Sequence, residues 1–153
     1  MRIYKISLYP IFILSFAGAS IILLLFYSAL NDFVSNLFLF VFGLLCSSLF
    51  IILAISLLRK RSDGKGYFWD DEGIVINLKG NKIYWNEIEK IKYSNVRGIK
   101  STVIYPYYTN HETIRIRMKK AMPTTAHSID WFIVEKPKEF HRELMKCFDG
   151  KSH

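Results

Sequence analysis

Residues 11–30 and 37–58 of this chain contain no Asp, Glu, Lys, Arg or His. Each run has at least 20 residues. At a rise of about 1.5 Å per residue, a helix over either one covers the ~30 Å hydrocarbon core of a bilayer. A buried helix of a water-soluble domain is shorter and keeps a polar face, and neither run has one. The pattern predicts two transmembrane helices, at about 11–30 and 37–58. A cleaved signal peptide is the rival for the first run, because Arg2 and Lys5 supply a basic start. The apolar stretch is longer than a typical signal core, however, and a second one follows almost at once.

The connector, residues 31–36, holds one acid (Asp32) and no Lys or Arg. It is short, so the two helices are predicted to form an antiparallel hairpin. Arg2 and Lys5 precede the first span, and Arg59, Lys60 and Arg61 follow the second. Lys and Arg accumulate on the cytoplasmic side, so both termini are expected in the cytoplasm of an inner (cell) membrane, with the connector outside. Cys46 and Cys147 are then expected to be reduced, and two cysteines do not make a disulfide framework. Ser15 with Ala19 and Gly43 with Ser47 place small residues four apart, a spacing that lets helix backbones approach. Packing within the hairpin accounts for it without a dimer. Ion paths and substrate sites in membranes are usually marked by intramembrane charge; none is present, so the spans read as an anchor for residues 1–61.

Most of the chain's net charge of +8 lies after residue 58. That charge suits a domain held against an anionic leaflet. Residues 62–66 read as a linker, and residues 67–150 as one cytoplasmic domain. Aromatic content of 16% argues against disorder. Period-two patterns dominate this part. Ile74, Ile76 and Leu78 share a face, and Lys79-Gly80-Asn81-Lys82 reads as a hairpin turn. Further strands are predicted at residues 83–85, 88–93 and 103–105, at 113–118 with Ile114, Ile116 and Met118 inward, and at 129–134. The period then changes. Pro137 opens a helix with Phe140, Leu144, Cys147 and Phe148 on one face, and Gly150 ends it. The predicted class is α+β: two membrane helices, an antiparallel sheet or barrel of six or seven strands, and one C-terminal helix.

Trp69-Asp70-Asp71-Glu72-Gly73-Ile74, followed by Ile83-Tyr84-Trp85-Asn86-Glu87-Ile88, resembles the "D-E-x-G-I … I-x-W-x-E-I" pattern of bacterial pleckstrin-homology-like (PH-like) domains. Such domains occur behind one or two N-terminal spans in small membrane proteins, mostly of unknown function. The resemblance covers roughly residues 67–148 and implies a bent sheet closed by a C-terminal helix; it does not carry a phosphoinositide site. The residues make physical sense without it. Gly73 frees the backbone at a turn into a strand, and Trp85 is a large apolar anchor. Glu87 caps backbone amides if residues 86–87 form a single helical turn.

No catalytic motif, P-loop or dinucleotide fingerprint occurs, so no enzyme, cofactor or metal is expected. Asp70, Asp71, Glu72 and Glu87 could form an acidic metal or acid–base cluster, but no His or Cys ligand accompanies them at useful spacing. His111, His127, His141 and His153 show no paired spacing and read as solvated. Cys147 falls on the buried helix face, which disfavours a reactive thiolate. Two surface features remain. Arg59, Lys60, Arg61 and Lys65 are candidate contacts for anionic lipid headgroups, although topology alone explains such a flank. Tyr105, Tyr107 and Tyr108, around Pro106, form a candidate protein-binding loop, with an edge packing cluster as the alternative. Arg115, Arg117, Lys119 and Lys120, with Lys92, Arg97 and Lys100, could form a basic face; membrane tethering and the missing recognition motif disfavour nucleic acid. The resulting expectation is a membrane-anchored, non-catalytic scaffold or regulator with a protein partner. An immunity protein against a co-encoded toxin is the alternative, and a membrane enzyme using the acidic turn is a distant third.

Overall fold

The structure, a computed structural model, describes residues 3–30 and 37–151. Arg2, the connector at 31–36 and His153 lie outside the described residues. Two compact units are present: Leu8–Ser62, and a second unit made of the residues on either side of it.

The helical unit comprises α1 (Leu8–Leu30) and α2 (Leu37–Ser62). Both are long and apolar enough to cross a membrane. Most of their large apolar side chains are exposed, as at Phe16, Leu23, Leu37 and Phe38. A core helix of a soluble protein would bury them. Gly18 of α1 lies against the Ser47 carbonyl and Ile51, and Leu25, a few turns along, lies against Gly43. As α1 advances, its contacts therefore step back along α2. Gly43 and Ser47 sit at this contact as their spacing suggests; on α1 the small residue used is Gly18, while Ser15 and Ala19 are exposed. The Ser47 hydroxyl donates to the Leu44 carbonyl (2.9 Å), so it is not stranded between the helices. α2 runs on past the apolar run, with Arg59, Lys60 and Arg61 in its last turn. Cations there complement the helix dipole.

The described residues of the other unit hold seven strands in two antiparallel sheets. The first has the order β1 (Tyr4–Lys5), β2 (Gly66–Trp69), β3 (Gly73–Val75), β4 (Lys82–Tyr84). The second has β5 (Ile88–Val96), β6 (Ile99–Pro106) and β7 (His127–Asp130). A short helix, α3 (His111–Arg117), lies between β6 and β7, and α4 (Pro137–Asp149) ends the fold. The sheets do not close into a barrel. A 3₁₀ turn, Trp85–Glu87, separates β4 from β5, and an isolated bridge, Ile6 with Val134, links the first strand's segment to the residues after β7.

β1 departs most from the sequence expectation, which gave residues 1–61 to the anchor. Tyr4 pairs with Tyr67 and Lys5 with Gly66. Tyr4 and Ile6 are buried, so residues before the first apolar helix complete the core of the sheet unit. The segment is too short for its in–out alternation to register beside a 20-residue apolar run.

The predicted strand at 113–118 is instead α3. Ile114 and Met118, four apart, are buried together, while Ile116 is 63% exposed. A strand would have put all three on one face. A Glu112–Arg115 ion pair one turn apart adds local support. The predicted strand at 73–78 stops at Val75, because the Asn77 carboxamide oxygen accepts the N–H groups of Lys79 (3.0 Å) and Asn81 (3.1 Å) and turns the chain early. The predicted strand at 129–134 is displaced to His127–Asp130, where the Asp130 carboxylate accepts the Phe132 N–H (3.0 Å) and starts a turn.

One core draws on both sheets, α3 and α4, with α4 packed against the first sheet. Phe140 is fully buried, and the rings of Tyr4, Trp69 and Tyr67 meet it edge-on at 5.2, 5.7 and 6.1 Å. The two motif segments lie side by side, with Gly73 opposite Tyr84 and Ile74 opposite Ile83. A Cβ at Gly73 would collide with the Ile83 carbonyl, which explains a glycine at that position.

Candidate functional site

The acidic residues of the motif are each engaged by a cation. Lys82 Nζ lies 2.7 Å from Asp70 Oδ2 and 2.7 Å from Glu72 Oε2. The Lys82 hydrogen bond holds the Asp70 carboxyl below its usual range. The same Asp70 side chain accepts the Glu72 and Gly73 N–H groups, closing the turn into β3. Glu87 accepts the Tyr84 N–H (2.9 Å) and a two-pronged bond from Arg117, whose guanidinium also lies 4.5 Å from the Tyr84 ring centre. Glu87 thus caps the 3₁₀ turn as its position suggests, and also ties that turn to α3. Among the described residues, no three or more His, Cys, Asp or Glu side chains group to hold a metal. The turn is arranged to hold backbone in place.

The histidines correct the expectation of solvated rings. His127 is buried, with Nδ1 3.5 Å from Lys120 Nζ and Nε2 lacking a hydrogen-bond partner among the described residues. Burial, with Lys120 and His111 adding to it, pulls its pKa down to about 4. His141 is half-buried and places Nδ1 3.1 Å from the Thr102 hydroxyl, which also accepts the Trp131 indole N–H (3.0 Å). Burial lowers the His141 pKa. Thr102 is fully enclosed, while the His141 ring is half-buried. His111 sits beside the Pro106 carbonyl and the Tyr108 ring. Burial pushes the Cys147 thiol up, which weakens it as a nucleophile.

The aromatic loop divides. Tyr105 stays on β6, half-buried under Lys90. Pro106 is the last residue of that strand, and Tyr107 and Tyr108 emerge at the 3₁₀ turn beyond it. Tyr107 lines an open groove of about 710 Å³ with Asp71, Trp85, Asn86, Ile88, Phe148 and Lys151. Its position is set by a hydrogen bond from its N–H to the Glu87 carbonyl (2.9 Å). Trp85 donates its indole N–H to the Asp70 carbonyl (2.9 Å) and its ring lies 6.4 Å from that of Phe148. Lys151 bridges the rim, reaching the Asp71 carbonyl (2.9 Å) and carboxylate (3.1 Å) with its ammonium 5.8 Å from the Trp85 ring centre. Aromatic walls, a buried Ile88 floor and a charged rim give a surface suited to an apolar side chain flanked by polar backbone.

Sequence reasoning found Tyr107 and Trp85 separately but not the groove. Asp71 and Lys151 are 80 residues apart, and no local pattern couples them. The proposed basic face is partly consumed within the fold: Arg115 binds Glu112, Arg117 binds Glu87, and Lys120 donates to the Thr124 hydroxyl. Among the candidate headgroup contacts, Arg59, Lys60 and Arg61 belong to α2, and Lys65 is exposed just before β2. No family model, curated protein or solved structure matches the chain.

Proposed function

We propose that this chain is a membrane-anchored binding protein with no chemistry of its own, whose sheet unit captures a segment of a protein partner in the Trp85–Tyr107–Phe148 groove. In this reading α1 and α2 cross the inner membrane as a hairpin, both termini are cytoplasmic, and the Arg59–Lys60–Arg61 flank with Lys65 faces anionic headgroups. A four-stranded and a three-stranded sheet capped by α4 support a PH-like relationship for the second unit. The groove carries the proposal. An exposed Tyr107 beside the half-buried rings of Trp85 and Phe148 and a charged rim, in a fold whose motif acids are all spoken for, is the kind of surface that anchors protein contacts.

A photo-reactive phenylalanine analogue placed at Tyr108, beside the groove, tests this in native membranes. A discrete protein adduct is expected, and Lys151→Glu, which reverses the rim charge, should abolish it. Absence of any adduct, or one indifferent to Lys151→Glu and Tyr107→Ala, refutes the groove as the binding site.

A further inference from the structure

A second surface of the sheet unit has a different character. β5 and β6 are joined by a two-residue turn, Arg97-Gly98, with φ of 51° and 84°, the geometry of a type I′ hairpin. Val96 and Ile99 face each other across that turn and so share one face of its tip. They are 62% and 63% exposed. Ile99 also lines a cleft of about 630 Å³ with Gly98, Lys100, Trp131, Phe132 and Lys138. Phe132 is itself 45% exposed. The result is an apolar ridge ringed by Arg97, Lys100 and Lys138. The one acid lining the cleft, Asp130, already accepts the Phe132 N–H.

Chain connectivity indicates what covers this ridge. The Ser7 N–H donates to the Ile133 carbonyl (2.7 Å), next to Phe132. The residue after Ser7, Leu8, is the first of α1. The residue after Phe132 is therefore hydrogen-bonded to the residue that precedes α1 in the chain, and each residue of chain spans at most about 3.6 Å. A second copy of the chain is a poorer occupant, because Arg97, Lys100 and Lys138 would confront their own copies.

We propose that the β5–β6 tip and the Phe132 turn form a bilayer-docking surface, with Val96, Ile99 and Phe132 entering the interfacial layer and Arg97, Lys100 and Lys138 taking the phosphates of anionic lipids. The proposal rests on α1 and α2 spanning a membrane, and it is independent of the protein-binding groove. Amphipathic surfaces of this type combine apolar insertion with attraction to anionic headgroups.

The test uses the full chain, with Cys46→Ser and Cys147→Ala, in nanodiscs of phosphatidylcholine alone or mixed with phosphatidylglycerol. Nitroxides on Val96→Cys and Ile99→Cys are compared with Leu24→Cys in α1 and Tyr108→Cys on the exposed loop. Accessibility to oxygen reports lipid, and accessibility to a water-soluble nickel chelate reports solvent. The tip labels should move from solvent to lipid when phosphatidylglycerol is present, while Tyr108→Cys stays in solvent. Lys100→Gln or Lys138→Gln should each weaken that transfer by about fivefold. If Leu24→Cys reports lipid but Ile99→Cys remains as aqueous as Tyr108→Cys, the docking surface is overturned and the spanning reading stands. If Leu24→Cys reports water, both fall. Spin–spin broadening between Ile99 labels of two copies, in place of lipid contact, reassigns the ridge to self-association and also overturns the proposal.

Discussion

His127 is the residue at which burial and ionisation conflict most directly. Its folded pKa of about 4 lies below the ordinary 6.5. The unfolded chain therefore takes up a proton, on lowering the pH through 6.5, that the folded chain refuses until about pH 4. Stability from this site is fully present above pH 6.5 and is lost across that window. The difference corresponds to about 3 kcal/mol at most. The lowered pKa of His141 acts in the same direction. Asp70, whose carboxyl is held below its usual range, acts at more acid pH. Unfolding of the detergent-solubilised chain, followed by near-ultraviolet dichroism across pH 7 to 4, should show this loss, with the slope much reduced in His127→Gln. An unchanged slope in that variant would remove the role assigned to the buried ring. No local pattern announces the burial of His127, since it pairs with Ile104 of β6, more than 20 residues earlier. Glu87 was legible, because its partner, the Tyr84 N–H, is three residues away.

At the level of elements, α3 offers the sharpest discrimination. Were residues 113–118 a strand, Ile114 and Ile116 would share an inward face, and truncating either would cost similar amounts. In the helix, Ile114 is buried and Ile116 faces solvent. Ile114→Ala should destabilise the fold by about 2–5 kcal/mol and Ile116→Ala by less than about 0.5 kcal/mol. Equilibrium unfolding of the two variants measures the contrast directly. The sequence pattern misled here because alternating β-branched and charged residues satisfy period two over six positions. The same positions also satisfy a four-residue spacing at Ile114 and Met118. Tertiary burial against the core chose between them. α4 posed no such ambiguity: its apolar positions recur over three turns, and Pro137 and Gly150 mark its ends.

For the whole molecule, the consequence of β1 is that a segment before the first apolar helix belongs to the core of the other unit. Removing it by signal cleavage would strip Tyr4 and Ile6 from their places against Tyr67, Val134 and Phe140. The protein recovered from membranes should therefore retain residues 4–7 by mass spectrometry, and Ile6→Ala should lower stability by about 2–5 kcal/mol. Recovery of a folded chain lacking those residues would show that β1 is dispensable. The two apolar helices, the turn around Gly73, extended stretches at residues 88–93 and 103–105, and α4 are all readable from the linear order of residues. Each of these is written in neighbours within a few turns or strand lengths of one another. Only the folded arrangement settles that β1 joins β2 across the helical insertion, that the sheets stay open, that His127 is buried, and that Asp71, Trp85, Tyr107 and Lys151 line one groove. Those outcomes depend on pairings between residues tens of positions apart, whose free energy appears only once the chain has closed on itself, and periodicity along the backbone carries no trace of them.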